Sequence, residues 1–114
     1  MPCIQTTTSV TVSDAQKQAL KEKFGKAIEV FPGKTERWLM LTLCDGVSVA
    51  MAGDDKTPAA FVEVSLLGRS DRAHFERMTA VICDVLQDVL SIDPAHVYVK
   101  YTEVEHWGWN GGNF

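Results

Sequence analysis

Long apolar runs are missing from this chain of 114 residues. Nothing in it approaches the ~20 consecutive apolar residues that a membrane-spanning helix needs, so no membrane span is expected. The amino end also lacks the basic patch and apolar stretch of a signal peptide, and carries the polar run Gln5, Thr6, Thr7, Thr8 and Ser9 instead. Positive charge is in deficit. Lys and Arg number 11 against 15 Asp and Glu, for a formal net charge of −4 and a pI near 5.2. Without a basic field to attract a phosphate backbone, nucleic acid is not an expected partner. These absences imply a protein made in the cytosol, with release from the cell by a route that needs no signal peptide left open.

Cysteine is scarce as well. Cys3, Cys44 and Cys83 are odd in number, widely separated and form no Cys-x-x-Cys, which argues against a disulfide framework and against a metal knuckle. His74, His96 and His106 show no ligand spacing, so no metal site is expected. What is present is ordinary for a globular protein, 46% apolar and 23% charged residues. The length suits one domain over residues 1–114 with a modest core.

Ser13 followed by Gln16 has the form of a capping box and predicts a helix from about Asp14. Leu20, Phe24, Ala27, Ile28 and Phe31 then make one stripe of helical period, stopped by Pro32-Gly33. A second stripe runs Phe75, Met78, Ile82, Leu86 and Val89, opened by Ser70-Asp71 and closed before Asp93-Pro94. Around these lie four strand-like segments, Ile4 to Val12, Trp38 to Cys44, Ala59 to Leu67 and Val97 to Tyr101. The nearly continuous apolarity of Met40 to Cys44 predicts a strand buried on both faces. Both halves read strand, helix, strand, and a weak echo links them: helix, Pro32-Gly33, Arg37-Trp38 in one and helix, Asp93-Pro94, His96-Val97 in the other. The fold class is α/β, with tandem βαβ units forming a four-stranded sheet and two helices on one face. The other face has no cover within so short a chain, and a large exposed apolar patch is unusual in a soluble monomer. A homo-oligomer follows as an expectation.

Pro2 stands directly behind Met1. Removal of Met1 would leave a secondary amine at the start of a strand, and an α-amino group titrates near ~8 before burial or a neighbouring cation lowers it. Such a group can serve as a general base at neutral pH. Proline is equally at home as a strand-edge residue, since it lacks the N–H of a central ladder. Lys34, just after the first helix, suits a developing oxyanion, and it suits equally the negative end of the helix dipole. Trp107, Trp109 and Phe114 load the last eight residues with aromatics, which fits either simple packing or the apolar wall of a pocket.

Taken together and in order, Met1-Pro2, Gly33-Lys34, Gly53 to Pro58, Leu67-Gly68, Asp93-Pro94 to Tyr98 and Gly108-Trp109-Asn110 with Phe114 give the chain a whole-length resemblance to the macrophage migration inhibitory factor family of the tautomerase superfamily. The resemblance implies a homotrimer with pockets at subunit boundaries and no cofactor. It implies that Pro2 moves a proton between carbon and oxygen in keto–enol tautomerisation of phenylpyruvate-like and dopachrome-like compounds. Lys34 and the Leu67 N–H would hold substrate oxygens with Ser65 nearby, Tyr98 would come from the adjacent subunit, and Trp107, Trp109 and Phe114 would line the apolar end. It leaves open a signalling role through a host or self receptor with vestigial catalysis.

The chain departs from the family pattern in three places. Ala59-Ala60-Phe61-Val62 replaces the Cys-x-x-Cys of some members, so thiol oxidoreductase activity does not carry over. Lys100 stands where asparagine is usual and is expected to add a second cation to the pocket from the adjacent subunit, the alternative being a solvated lysine that discourages pairing at a sheet edge. Trp107 stands where a small aliphatic residue is usual and is expected to narrow the mouth. A ferredoxin-like RNA-binding module shares the strand and helix order, but Ala59 to Leu67 has one aromatic and Glu63 where such a module would carry Lys, Arg and several aromatics.

Overall fold

The computed structural model describes all 114 residues. In chain order the elements are β1 (Pro2–Thr8), α1 (Asp14–Ala27), β2 (Met40–Cys44), β3 (Ala60–Leu67), α2 (Arg72–Leu90), β4 (Val97–Val104) and a two-stranded hairpin of β5 (Gly108–Trp109) and β6 (Gly112–Asn113). The main sheet has the order β2-β1-β3-β4. Its outer pairs, β1 with β2 and β3 with β4, are parallel, and its central pair is antiparallel. Parallel neighbours need a crossover, which α1 and α2 each supply. The two βαβ units read from the sequence therefore join along β1 and β3.

The local signals act as chemistry requires. Ser13 Oγ accepts the Gln16 N–H at 3.1 Å, and Gln16 Oε1 accepts the Ser13 N–H at 2.9 Å, so both arms of the capping box form. Helix α1 buries Leu20, Phe24 and Ala27 and tightens into a 3₁₀ turn at Ile28–Val30 before Pro32. Helix α2 buries Met78, Ile82 and Leu86 completely and ends at Ser91 in the left-handed conformation. These side chains meet Ile4, Val62, Val64 and Leu66 from the central strands in a single core. Full burial of each large aliphatic contributes roughly 1.5–3 kcal/mol, which makes this layer the main source of stability.

Three expectations need correction. The first strand is Pro2–Thr8, because the chain bends at Ser9 and the Val12 N–H turns away to the Asp45 carboxylate at 2.8 Å. Residues Glu36–Trp38 form a 3₁₀ turn, so β2 starts at Met40. Strand β2 is also an edge strand and is not buried on both faces. Leu41 and Leu43 pack on the core, while Met40 on the opposite face is 63% exposed. The apolar run serves one face inside this chain and leaves the other open.

That open face is less apolar than the sequence suggested. Thr42, Gln5, Glu63 and Lys100 are register partners and form one polar rung across all four strands. The Lys100 ammonium and the Glu63 carboxylate pair at 3.0 Å. Apolar and aromatic groups flank the rung, with Met40 and Tyr98 exposed on it. No helix is long and apolar enough to cross a membrane.

Candidate active site

The site is assembled where the start of β1 meets the end of β3. Pro2 pairs in register with Leu66 and Cys3 with Ser65. Proline is tolerated there because the first residue of a strand can do without an amide donor, and the Pro2 ring is fully buried. The next residue of β3, Leu67, donates its N–H to the Met1 carbonyl at 3.0 Å. Lys34 enters from the loop after α1, where Gly33 adopts φ 79 and the Lys34 N–H caps the Phe31 carbonyl at 3.0 Å. Its ammonium donates to the Leu67 carbonyl at 3.1 Å.

Two of the expected oxygen-holding groups, the Lys34 ammonium and the Leu67 N–H, thus lie together around the Met1-Pro2 peptide. With Met1 attached, its own carbonyl oxygen takes the Leu67 N–H. The terminal amine is held down at about 6 from an ordinary 8.0, first by desolvation, then by the charge of Lys34 and by a hydrogen bond from it. Burial pushes the neighbouring Cys3 thiol upward, away from thiolate chemistry.

Beside Pro2 opens a cavity of about 460 Å³, lined by Met1, Pro2, Arg37, Trp38, Trp107 and Trp109 among others. The C-terminal hairpin forms one wall. Asn110 and Gly111 at its turn have φ 52 and φ 80, the positive pair that a two-residue turn of type I′ demands. The Phe114 N–H closes the hairpin onto the Trp107 carbonyl at 3.1 Å. Trp109 stacks on Phe114 at 5.7 Å, and Trp38 meets both edge-on, at 5.0 Å and 6.0 Å. The aromatics predicted for the apolar end are therefore docked, with Trp107 and Trp109 against the cavity that holds Pro2.

Tyr98 and Lys100 do not reach this site within one chain. Tyr98 pairs with Phe61, five residues along β3 from the Pro2–Leu66 rung, or about 17 Å at strand rise. Lys100 is engaged by Glu63 on the open sheet face. Sequence reasoning missed Arg37 and Trp38 as cavity residues. The signal was present in Gly33-Lys34-Thr35-Glu36-Arg37-Trp38, because one 3₁₀ turn after Lys34 carries Arg37 and Trp38 to the same end of the sheet. No group of three or more His, Cys, Asp or Glu side chains is placed to hold a metal ion.

A mixed four-stranded sheet backed by two helices, with a proline-led strand beside a cation, defines a fold of the tautomerase type. The family model of macrophage migration inhibitory factor (MIF) matches residues 1–114, and the chain belongs to that family. Among solved structures it is similar to MIF2 of Leishmania major, at 31% identity over 100% of this chain and 97% of that one, with a TM-score of 0.93. It is also similar to a MIF homologue from Prochlorococcus marinus, at 28% identity over 98% of each chain and a TM-score of 0.89. Pt0534, solved after inactivation by 2-oxo-3-pentynoate, shares the fold at 16% identity over 96% of this chain and 93% of that one, with a TM-score of 0.84. Comparison with curated proteins gave no match.

Proposed function

We propose that the chain, once Met1 is removed, is a cofactor-independent keto–enol tautomerase acting on phenylpyruvate-like and dopachrome-type compounds as a homotrimer. The observation that carries this reading is the lowered amine at the chain start, desolvated and next to Lys34, at the mouth of an aromatic cavity. A Pro2 amine in the same surroundings is depressed in the same direction and is a free base near neutral pH.

In the proposed reaction the neutral Pro2 nitrogen takes the proton from the carbon next to the keto group. The C–H electron pair becomes the new C=C bond, and the carbonyl electrons move onto oxygen. The Lys34 ammonium and the Leu67 N–H, vacated by the Met1 carbonyl, stabilise that enolate oxygen. Protonated Pro2 then returns its proton to the oxygen, and no electrons are gained or lost. Tyr98 would reach the cavity from the adjacent subunit, which accounts for its distance from Pro2 within one chain. Trp107, Trp109 and Phe114 would pack on the ring of the substrate.

The test compares three forms on phenylpyruvate, with Met1 status read from intact mass. The Met1-free chain should turn over, a chain with any residue ahead of Pro2 should not, and Pro2→Ala should keep a remnant through its primary amine. Pt0534 is inactivated by 2-oxo-3-pentynoate, an acetylenic 2-keto acid. Addition of the neutral Pro2 nitrogen across the triple bond of that compound should yield an adduct one whole reagent heavier. Equal rates with a blocked and a free terminus would refute the mechanism.

A further inference from the structure

The ion pairs of the chain all lie away from the Pro2 cavity. Lys23 and Asp88 join the two helices, Arg72 and Glu76 lie along α2, and Lys100 and Glu63 cross from β4 to β3. Arg37 lines the cavity and has no carboxylate partner. Its guanidinium is nevertheless positioned, 5.2 Å from the centroid of the Trp38 ring. Trp38 in turn is fixed edge-on by Trp109 and Phe114. The neighbouring acid, Glu36, is turned onto α1, where its carboxylate fills the space that a Cβ at Gly25 would need. The cavity therefore keeps an oriented and uncompensated cation in a chain whose net charge is −4.

A guanidinium held on an aromatic ring keeps N–H donors free in a planar fork that matches a carboxylate. The keto-acid end of a substrate is already provided for by Lys34 and the Leu67 N–H. Arg37 has no such duty, and it stands among Trp38, Trp107 and Trp109 on the walls that would receive the ring. Resting on the reading of this cavity as a keto-acid site, we propose that Arg37 sets specificity by binding a second, remote carboxylate, so that the preferred substrates are dianionic aryl 2-keto acids. Lys100 cannot supply this cation from the same chain, because Glu63 neutralises it on the open sheet face.

The experiment uses the full Met1-free chain at ~0.15 M salt, where charges more than ~8 Å apart are largely screened. Binding is read by calorimetry with two acids that cannot tautomerise, trans-cinnamate and trans-4-carboxycinnamate, and turnover is read with phenylpyruvate and its 4-carboxy derivative. The dianion should win by about tenfold in both comparisons, the scale of one charge-assisted hydrogen bond. Arg37→Gln should bring both ratios near one by weakening the dianions about tenfold more than the monoanions, and Arg37→Lys should restore part of the preference. Thermal unfolding checks that each variant is folded. A dianion preference in binding that disappears in Arg37→Gln supports the role of Arg37 even if nothing is turned over, in which case the tautomerase reading fails separately. Equal ratios in the native chain and Arg37→Gln, a ratio near one in the native chain, or no binding of either acid would each overturn the proposal.

Discussion

Lys34 and Leu67 are joined by a 3.1 Å hydrogen bond from the ammonium to the Leu67 carbonyl. It pins the loop after α1 to the end of β3 and sets a positive charge beside the chain's first peptide. Lys34→Gln should therefore do two separable things. It should lower kcat/KM for phenylpyruvate by about a hundredfold at neutral pH, the scale for loss of one oxyanion donor. It should also raise the pKa of the Pro2 amine, because the nearby charge that disfavoured its protonation is gone. The acid limb of the pH–rate profile then moves upward, toward the ~8 of a free α-amine. A profile with an unmoved limb would place Lys34 outside the field of the base.

The chain that keeps Met1 makes a different pH prediction. Its amine is held at about 6 when folded and titrates at 8.0 when unfolded. The folded state binds fewer protons between those values, so this group's contribution to stability is full above 8, is lost as pH falls from 8 to 6, and changes no further below 6. Urea midpoints at pH 8.5 and 6, compared with an N-acetylated chain, isolate the effect. A midpoint difference identical in the acetylated chain would contradict it.

Assembly is the third expectation. One sheet face carries Met40, Phe61 and Tyr98 beside the rung of Thr42, Gln5, Glu63 and Lys100, and no part of the chain covers it. Sedimentation equilibrium at micromolar concentration should give about three times the 12.6 kDa chain mass, since exposed patches of this kind mark contact surfaces. Glu63→Lys sets like charges opposite each other across β3 and β4 and should weaken the assembly. A well-folded monomer at that concentration would rule the trimer out.

The hairpin turn gives a fourth. Gly111 sits at φ 80, where a Cβ is strained even though nothing crowds it. Gly111→Ala should cost about 1–3 kcal/mol of local stability. Trp109 and Phe114 would lose their fixed places against Trp38, and KM for an aromatic substrate should rise several-fold with kcat nearly kept. An unchanged KM would mean that the hairpin does not touch the substrate.

The sequence was most legible where local chemistry and burial agreed. Ser13 and Gln16 announced α1, the Met78, Ile82 and Leu86 stripe announced α2, and the residue order announced the paired βαβ units. Strand β2 was misread because a run such as Leu39-Met40-Leu41 looks alike whether one face is covered or two, and only the sheet order makes it an edge. At the site, Pro2, Lys34 and Leu67 were legible through their motifs. Arg37 was not, because a charged residue in a loop reads as solvated until its ring partner is known, and Trp38 comes next in the chain only to be fixed by residues at its far end. The expectation for Lys100 concerns the adjacent subunit's pocket, and within one chain its partner Glu63 shows only through the register of β3 and β4.

The antiparallel pairing of β1 and β3 has a further consequence. The interval from Pro2 to Ala60, the first residues of those strands, equals that from Asp14 to Arg72, the first residues of the helices. A rotation about the middle of the sheet therefore carries one half of the chain approximately onto the other and brings Pro2 onto Ala60. Removal of Met1 would make the halves differ at that point in covalent structure, because Ala60 stays joined to Ala59 by a peptide bond. A circular permutant opened between Ala59 and Ala60 would exchange the two situations, exposing an amine at the second strand and sealing Pro2 inside the chain.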